Sequence, residues 1–320
     1  NLKKIPTIGN VLAKEIQNLN VLSRAEQEMR YIQGHGISIL SYWDSDYPTQ
    51  LKQCIDAPIL LFSKGKIDWS NRRIISVVGT RKASTYGLSV CKDLIKELSV
   101  FSPIIVSGLA YGIDSCAHKE ALKNNLQTIG VLAHGLERIY PQSNERLAKQ
   151  MTRNGGLLTE FLNTSKLLRE NFVRRNRIVA GLADATIVIE SKIKGGAMIT
   201  AKMANSYSRD VFAVPARVND KYSSGCLELI KNNEAMLYTS IEDIVNNLSW
   251  QQTQTSTQTS LFDFTPNEKS IYDLIAENKE LHIDNISQKS ELSASELAEI
   301  LMKLELEGII YARPGSIYSL

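Results

Sequence analysis

The sequence predicts a doubly wound α/β domain with a mostly parallel sheet, a small helical module before it and a winged helix after it. Three observations carry this expectation. Between residues 57 and 245 short apolar runs alternate with helical patterns, the signature of strands buried on both faces. Residues 251–260 read QQTQTSTQTS, a polar stretch with nothing to bury, so 246–264 is expected to be a linker. After it come three helical patterns and a hairpin. A chain of 320 residues has room for two to three domains.

The elements follow in order. Residues 1–56 look helical, with turns at Pro6–Gly9 and Gly34-His35-Gly36, and Tyr47-Pro48 and Ala57-Pro58 break the chain. The apolar runs of 57–245 are Ile59–Phe62, Ile74–Val78, Ile104–Val106, Thr128–Leu132, Leu157–Leu158, Thr186–Ile189 and Val211–Val214. Helical patterns such as Leu88–Leu98, Ser115–Lys123 and Ile199–Tyr207 lie between them. Beyond the linker, Pro266–Glu277 and Ile283–Ser287 are two helices, and Ser293-Ala294-Ser295-Glu296 is a capping box opening a third. Leu297, Ile300, Leu301 and Leu304 form its apolar face and Gly308 ends it. Ile309–Tyr311 and Ser316–Leu320 flank Arg313-Pro314-Gly315 as a hairpin.

Composition narrows the function. Apolar residues make up 43% and charged residues 22%, which excludes wholesale disorder and collagen-like repeats. No apolar run nears the length of a membrane span, and no signal-peptide pattern opens the chain. The four cysteines, Cys54, Cys91, Cys116 and Cys226, include no C-x-x-C pair, which suits a reducing cytoplasm and argues against a zinc site. The chain begins at Asn1, which leaves room for native residues before it. Charge is uneven: residues 57–250 hold 26 basic and 17 acidic side chains, and residues 261–320 hold 5 and 11. The middle can attract a polyanion that the tail would repel.

Open α/β sheets bind ligands at the carboxyl ends of their strands, so the turns after the apolar runs carry the candidate chemistry. In the first, Gly79 lets the backbone turn, Thr80 and Ser84 offer hydroxyls, and Arg81 can fork onto a phosphate at a helix start. Alternatively Thr80 and Ser84 only cap the helix. The turn matches neither a dinucleotide fingerprint nor a Walker loop. In the second turn, Ser107 and Gly108 precede Asp114, with His118 four residues on and on the same helix face. We read Asp114 and His118 as a structural buttress rather than an acid–base pair, because no nucleophile lies near them in sequence. The stretch KLLRENFVRRNR at 166–177 places Lys166, Arg169, Arg174, Arg175 and Arg177 around Phe172 and Asn176. Basic residues beside an aromatic ring suit single-stranded nucleic acid, although one such ring can equally be core. Gly195 and Gly196 offer free N–H groups at another helix start.

These motifs together resemble the DprA/Smf family of DNA-processing proteins. The matching stretches are VVGTRKASTYG (77–87), VSGLAYGIDSCAHKEAL (106–122), GGLLTEF (155–161), NFVRRNRIVAGLADATIVIE (171–190), GGAMITAKMA (195–204) and RDVFAVPARV (209–218). The resemblance implies an extended Rossmann-like domain. It implies a homodimer that binds single-stranded DNA and delivers it to the recombinase RecA in natural transformation, with no catalytic residue, metal or cofactor. By the same resemblance Arg81 is the foremost phosphate ligand, and Phe172 and Arg175 line the DNA pocket. Gly195 and Ala197 stand where the family usually has serines, so contacts there fall to backbone N–H groups. The alternative is a nucleoside-monophosphate phosphoribohydrolase of the related LOG type. Aligned on Gly195-Gly196, Lys202 replaces that motif's glutamate, which removes the acid–base group.

Ile5–Asn10 resembles the hairpin of a helix-hairpin-helix element. The third C-terminal helix carries Glu296, Glu299, Glu305 and Glu307 against Lys303. Phosphate contact needs cations, so the winged helix is expected to meet protein rather than DNA. Deleting residues 255–320 should therefore leave single-strand affinity unchanged or slightly higher at low salt in a binding titration. A tenfold loss in the folded truncation would show that this domain reads DNA.

Overall fold

Runs such as Ile74-Ile75-Ser76-Val77-Val78 have no polar face, so a sheet built from them must be covered on both sides. The computed structural model describes residues 9–16, 20–70, 73–217, 219–220, 222–250, 265–278, 280–290, 292–306, 309–313 and 315–319. Its contacts divide the chain into two units, Asn1–Thr253 and Gln254–Leu320.

In the first unit the described elements begin with α1 (Asn10–Ile16), α2 (Asn20–Gly34), β1 (Ser38–Ser41), α3 (Thr49–Lys52), β2 (Leu60–Lys66) and β3 (Ile74–Gly79). Next come α4 (Thr85–Leu98), β4 (Ile104–Ser107), α5 (Ile113–Lys123), β5 (Thr128–Val131), α6 (Glu145–Met151) and β6 (Gly155–Thr159). The unit closes with α7 (Arg169–Leu182), β7 (Ala185–Ile189), α8 (Gly196–Ser206), β8 (Asp210–Ala213), α9 (Ser224–Lys231), β9 (Met236–Leu237) and α10 (Ile241–Asn247). Each of the seven apolar runs becomes a strand. Among the described residues they join β1 and β9 in one sheet of order β1-β2-β6-β5-β4-β3-β7-β8-β9.

β6 through β9 of this order run parallel, while β1 and β2 pair antiparallel at one edge. The helical reading of residues 1–56 holds at α1, α2 and α3 and is corrected at residues 38–41. Ser38–Ser41 is a strand in register with β2, Ile39 opposite Phe62, and the sheet therefore begins before residue 57. Four residues between two turns are too short to show a period. The proposed hairpin at Ile5–Asn10 lies outside the described residues through Ile8; at its end the Ala13 N–H donates to the Gly9 carbonyl at 3.0 Å.

Neighbouring residues on each strand feed opposite cores, as the twofold strand period requires. Ile74 and Val78 pack with Ile178, Val179 and Ala201 on the α7–α8 side. Ile75 and Val77 pack with Leu94, Ile95 and Ala117 on the α4–α5 side. The chain winds outward from β3 through β4, β5 and β6, then returns to the other side of β3 for β7 and β8. The crevice of such a fold opens where this reversal occurs, at the carboxyl ends of β3 and β7.

The second unit contains α11 (Pro266–Asn278), β10 (Glu280–His282), α12 (Ile283–Ser290), α13 (Ala294–Leu306), β11 (Tyr311–Arg313) and β12 (Ile317–Ser319). β10 was not expected; it pairs antiparallel with β12 and completes a three-stranded sheet. Ile271, Ile275, Ile286, Leu297, Leu301 and Leu304 form its core. The capping box holds: Glu296 N–H donates to Ser293 Oγ at 3.4 Å, and Ser293 N–H donates to Glu296 Oε2 at 3.1 Å. Gly308, read as the stop of α13, lies outside the described residues.

Asp114 and His118 are both buried in the fold, but the pairing of one with the other is corrected. His118 is fully buried and its Nδ1 lies 2.7 Å from Thr128 Oγ1. Thr128 already donates to the Ile105 carbonyl at 2.9 Å, so it accepts from His118 Nδ1–H. Asp114 instead accepts the Ala110 N–H at 3.2 Å. Burial, with the Arg175 charge nearby, pushes the His118 imidazole down to about 3. The unfolded chain, with histidine near 6.5, takes up this proton first. The stabilisation is therefore complete above that value and is lost as pH falls from it towards 3. Asp114, pushed up by its own burial, acts in the opposite direction within the carboxylate range. We expect His118→Gln, followed by denaturant unfolding from pH 7.5 to 4.5, to flatten the fall in stability by up to about 1.4 kcal/mol per pH unit.

Candidate nucleic-acid interface

The end of β3 turns so tightly that it admits no side chain at Gly79. A Cβ there would come 2.6 Å from Ile113 Cγ1. Thr80 N–H then donates to the Glu190 carbonyl at 2.7 Å, which ties the ends of β3 and β7 together. Ser84 is the N-cap of α4, its Oγ accepting Gly87 N–H at 3.1 Å. Its own N–H donates to Glu190 Oε2 at 2.9 Å and its hydroxyl to Glu190 Oε1. Ser84 is thereby engaged as a cap and is corrected as a phosphate ligand. Ser107 is corrected too: it is fully buried and donates to the Val77 carbonyl at 2.6 Å.

Arg175 differs most from its expected role. Its side chain runs beneath the crevice, 5% exposed. Nη1 donates to the carbonyls of Gly108, at 2.6 Å, and Val131, and Nε donates to Asn176 Oδ1 at 3.2 Å. A Cβ on Gly108 would sit 2.6 Å from Arg175 Nη2 and 2.8 Å from Asp114 Oδ2, so glycine lets the β4 turn lie directly on these two side chains. Burial lowers the Arg175 guanidinium to about 10 and raises Asp114, and the opposite charge of each counters the other's shift. Arg175 is thus the floor of the crevice, with its Nη1 and Nε donors given to protein carbonyl oxygens.

Helical spacing sorts the remaining residues of 166–177. Phe172, Arg175, Asn176 and Val179, at i, i+3, i+4 and i+7 of α7, line the crevice. Arg174 and Arg177 leave from another face and meet Glu160 at 2.7 and 2.6 Å. Arg177 also lies 3.8 Å from Asp56, and the Arg174 guanidinium lies 5.6 Å from the Phe161 ring centre. Arg177 is thereby corrected from a DNA contact to a largely buried ion pair, while Arg174, its side chain 61% exposed, meets Glu160 at the surface outside the cleft lining. Lys166 is exposed in the segment before α7, next to the lining residue Leu167 but not itself part of the crevice lining, while Arg169 is part of it.

The crevice is a cleft of about 750 Å³ at the predicted strand ends. Gly79, Thr80, Arg81 and Gly108 form one side of it, and Gly195 and Gly196 at the start of α8 the other. Phe172 is half-buried, with the Arg81 guanidinium 5.6 Å from its ring centre and the Tyr140 ring edge-on at 5.8 Å. Sequence reasoning missed Tyr140, Ser191, Lys192 and Lys194, which also line it. The two lysines flanking Ile193, beside the paired glycines, were the available signal; Tyr140 had none beyond the following proline. Ser191 Oγ occupies the space into which a side chain on Gly195 would project, so a hydroxyl reaches that spot from a neighbouring position. Among the described lining residues the acidic side chain is Asp114, which is set against Arg175. Arg81, Arg169, Lys192 and Lys194 leave a surplus of positive charge around an aromatic face.

The model of the DNA recombination-mediator protein A (DprA) family matches residues 38–249, beginning at β1, and that of the DprA winged helix domain matches residues 253–316. The chain belongs to the DprA family. The DNA processing protein DprA of Bacillus subtilis is 39% identical over 220 residues, 68% of this chain and 74% of that protein. Its Streptococcus pneumoniae counterpart is 40% identical over 205 residues, 64% and 72% of the two chains. The X-ray structure of the S. pneumoniae DprA superposes with a TM-score of 0.62 at 36% identity, covering 68% of this chain and 77% of that one. The DNA processing protein A of Helicobacter pylori, a structure concerned with that protein's single-stranded DNA binding mode, superposes at 0.60 with 28% identity, covering 67% and 95%.

This geometry separates two kinds of variant in a folding assay. Arg175→Ala leaves the buried Gly108 and Val131 carbonyls without their donor and removes the charge that opposes Asp114, and should cost about 3–5 kcal/mol of stability. Phe172→Ala, at a half-buried ring outside the cores, should cost less than about 1.5 kcal/mol, against roughly 3–5 for a core phenylalanine. A loss in that core range for Phe172→Ala would remove it from the cleft chemistry.

Proposed function

We propose that the cleft binds single-stranded DNA without base-sequence preference, and that the protein presents the strand to the recombinase RecA during DNA uptake and recombination. We further propose that it acts as a cytoplasmic homodimer and has no catalytic step of its own. The observation that carries the reading is the Arg81–Phe172–Tyr140 cluster in a basic cleft. A cation meets a phosphate and a ring face meets a base, which is the pairing that sequence-independent single-strand binding requires. Duplex DNA keeps its bases stacked and offers no free face to Phe172. That the similar H. pylori protein binds single-stranded DNA supports this reading. Against a phosphoribohydrolase stands Lys202, exposed on α8 outside the cleft lining, where that motif has its glutamate.

Titrations of single-stranded and duplex oligonucleotides over a salt series test this. The protein should prefer the single strand. Arg81→Ala should weaken binding and lower the salt slope by about 0.7. Phe172→Ala should cost about 1–3 kcal/mol of binding with the slope unchanged. Wild-type affinity in the folded double variant would exclude the cleft. RecA filament growth on single-stranded DNA, with and without the protein, tests the second step; equal nucleation rates would contradict it.

A further inference from the structure

The cleft carries its cation–aromatic pairing twice. On the α7 side the Arg81 guanidinium lies 5.6 Å from the Phe172 ring centre. On the α8 side the Lys192 ammonium lies 4.9 Å from the Tyr222 ring centre. Both cations line the cleft, and Tyr222 lies beside it through Lys192. Tyr222 is 42% exposed and belongs to none of the apolar clusters of the first unit. A ring this exposed is not held there by core packing, and a surface cation–π contact contributes only about 0.5–1 kcal/mol.

The position of Tyr222 is nonetheless built. Its N–H donates to Asp220 Oδ1 at 2.9 Å. Three residues on, Gly225 N–H donates to the Ser191 carbonyl at 2.7 Å, which ties the start of α9 to the residue preceding Lys192. A Cβ on Gly225 would come 2.7 Å from that same oxygen. The Tyr222 turn and the Lys192 loop are therefore pressed together.

We infer that Tyr222 is a second base-stacking platform and Lys192 the phosphate contact beside it, so that a bound strand spans the cleft from Phe172 to Tyr222. The inference rests on the single-strand reading of the cleft and extends it by a subsite. One nucleotide engages Arg81 and Phe172. A later one along the chain engages Lys192 and Tyr222, and Lys194 and the α8 start lie on the path between.

The experiment is a length series of oligothymidylates titrated against wild type, Tyr222→Ala, Tyr222→Trp, Lys192→Ala and Arg81→Ala. Tyr222→Ala should match wild type on the shortest ligands and lose about five- to hundredfold on longer ones, with an unchanged salt slope. Tyr222→Trp, which keeps a stacking face, should recover the loss. Lys192→Ala should lower the salt slope by about 0.7 on the longer ligands alone. If Tyr222→Ala and Lys192→Ala equal wild type at every length while Arg81→Ala is weakened, the second platform is overturned and the first subsite stands. If wild type itself binds no oligothymidylate, the reading of the whole cleft falls.

Discussion

A guanidinium held under the crossover of the sheet organises this cleft. Arg175 reaches from α7 to the carbonyls of Gly108 and Val131, at the ends of β4 and β5, with Asp114 supplying the opposing charge. A buried charge is tolerable only when paired and hydrogen-bonded. Here the requirement draws α7, α5 and two strand ends onto one point. Gly108 follows from it, since any side chain there would strike the guanidinium. The fully buried Ser107 and the Asp114 contact to Ala110 belong to the same packed floor. A rigid floor of this kind lets a flat ring and free cations stand above it at set distances.

The functional groups divide according to what is left over once that floor is made. Arg175 gives its donors to carbonyls, Arg174 and Arg177 give theirs to Glu160, and Ser84 caps a helix under Glu190. Arg81, Arg169, Lys192 and Lys194 stand with Arg175 in the cleft lining, and the rings of Phe172 and Tyr140 meet there edge to face. The ligand this remainder suits is an anionic chain with exposed planar groups. The cleft's position where the strand order reverses is where such a fold has an opening between its carboxyl strand ends.

Much of this was legible in the chain itself. The β-branched runs located the parallel strands because a strand buried on both faces leaves an uninterrupted apolar signal. The Gly79 turn and the 166–177 stretch marked the walls of the cleft. What could not be read was direction. Density of arginine in KLLRENFVRRNR does not say which side chains leave from which face, and the internal partners Glu160 and Asp56 lie far off in sequence. Tyr140 and Tyr222 carried no local signal, since each joins the site through a fold-level contact with Phe172 or Lys192. β1, β9 and β10 were too short to show a period, and the Asp114–His118 spacing suggested a pair that Arg175 and Thr128 outcompete.

Where a base sits decides what the cleft is for. Ultraviolet cross-linking of a bromouridine-substituted single strand to the full chain, followed by peptide mass spectrometry, measures that directly. Adducts should fall on Phe172 and Tyr140, and on Tyr222 where the strand reaches the second platform, and they should vanish under excess unlabelled single strand but persist under excess duplex. Adducts confined to aromatic residues of the second unit, such as Tyr272 or Tyr311, would contradict the assignment of the cleft as the binding site.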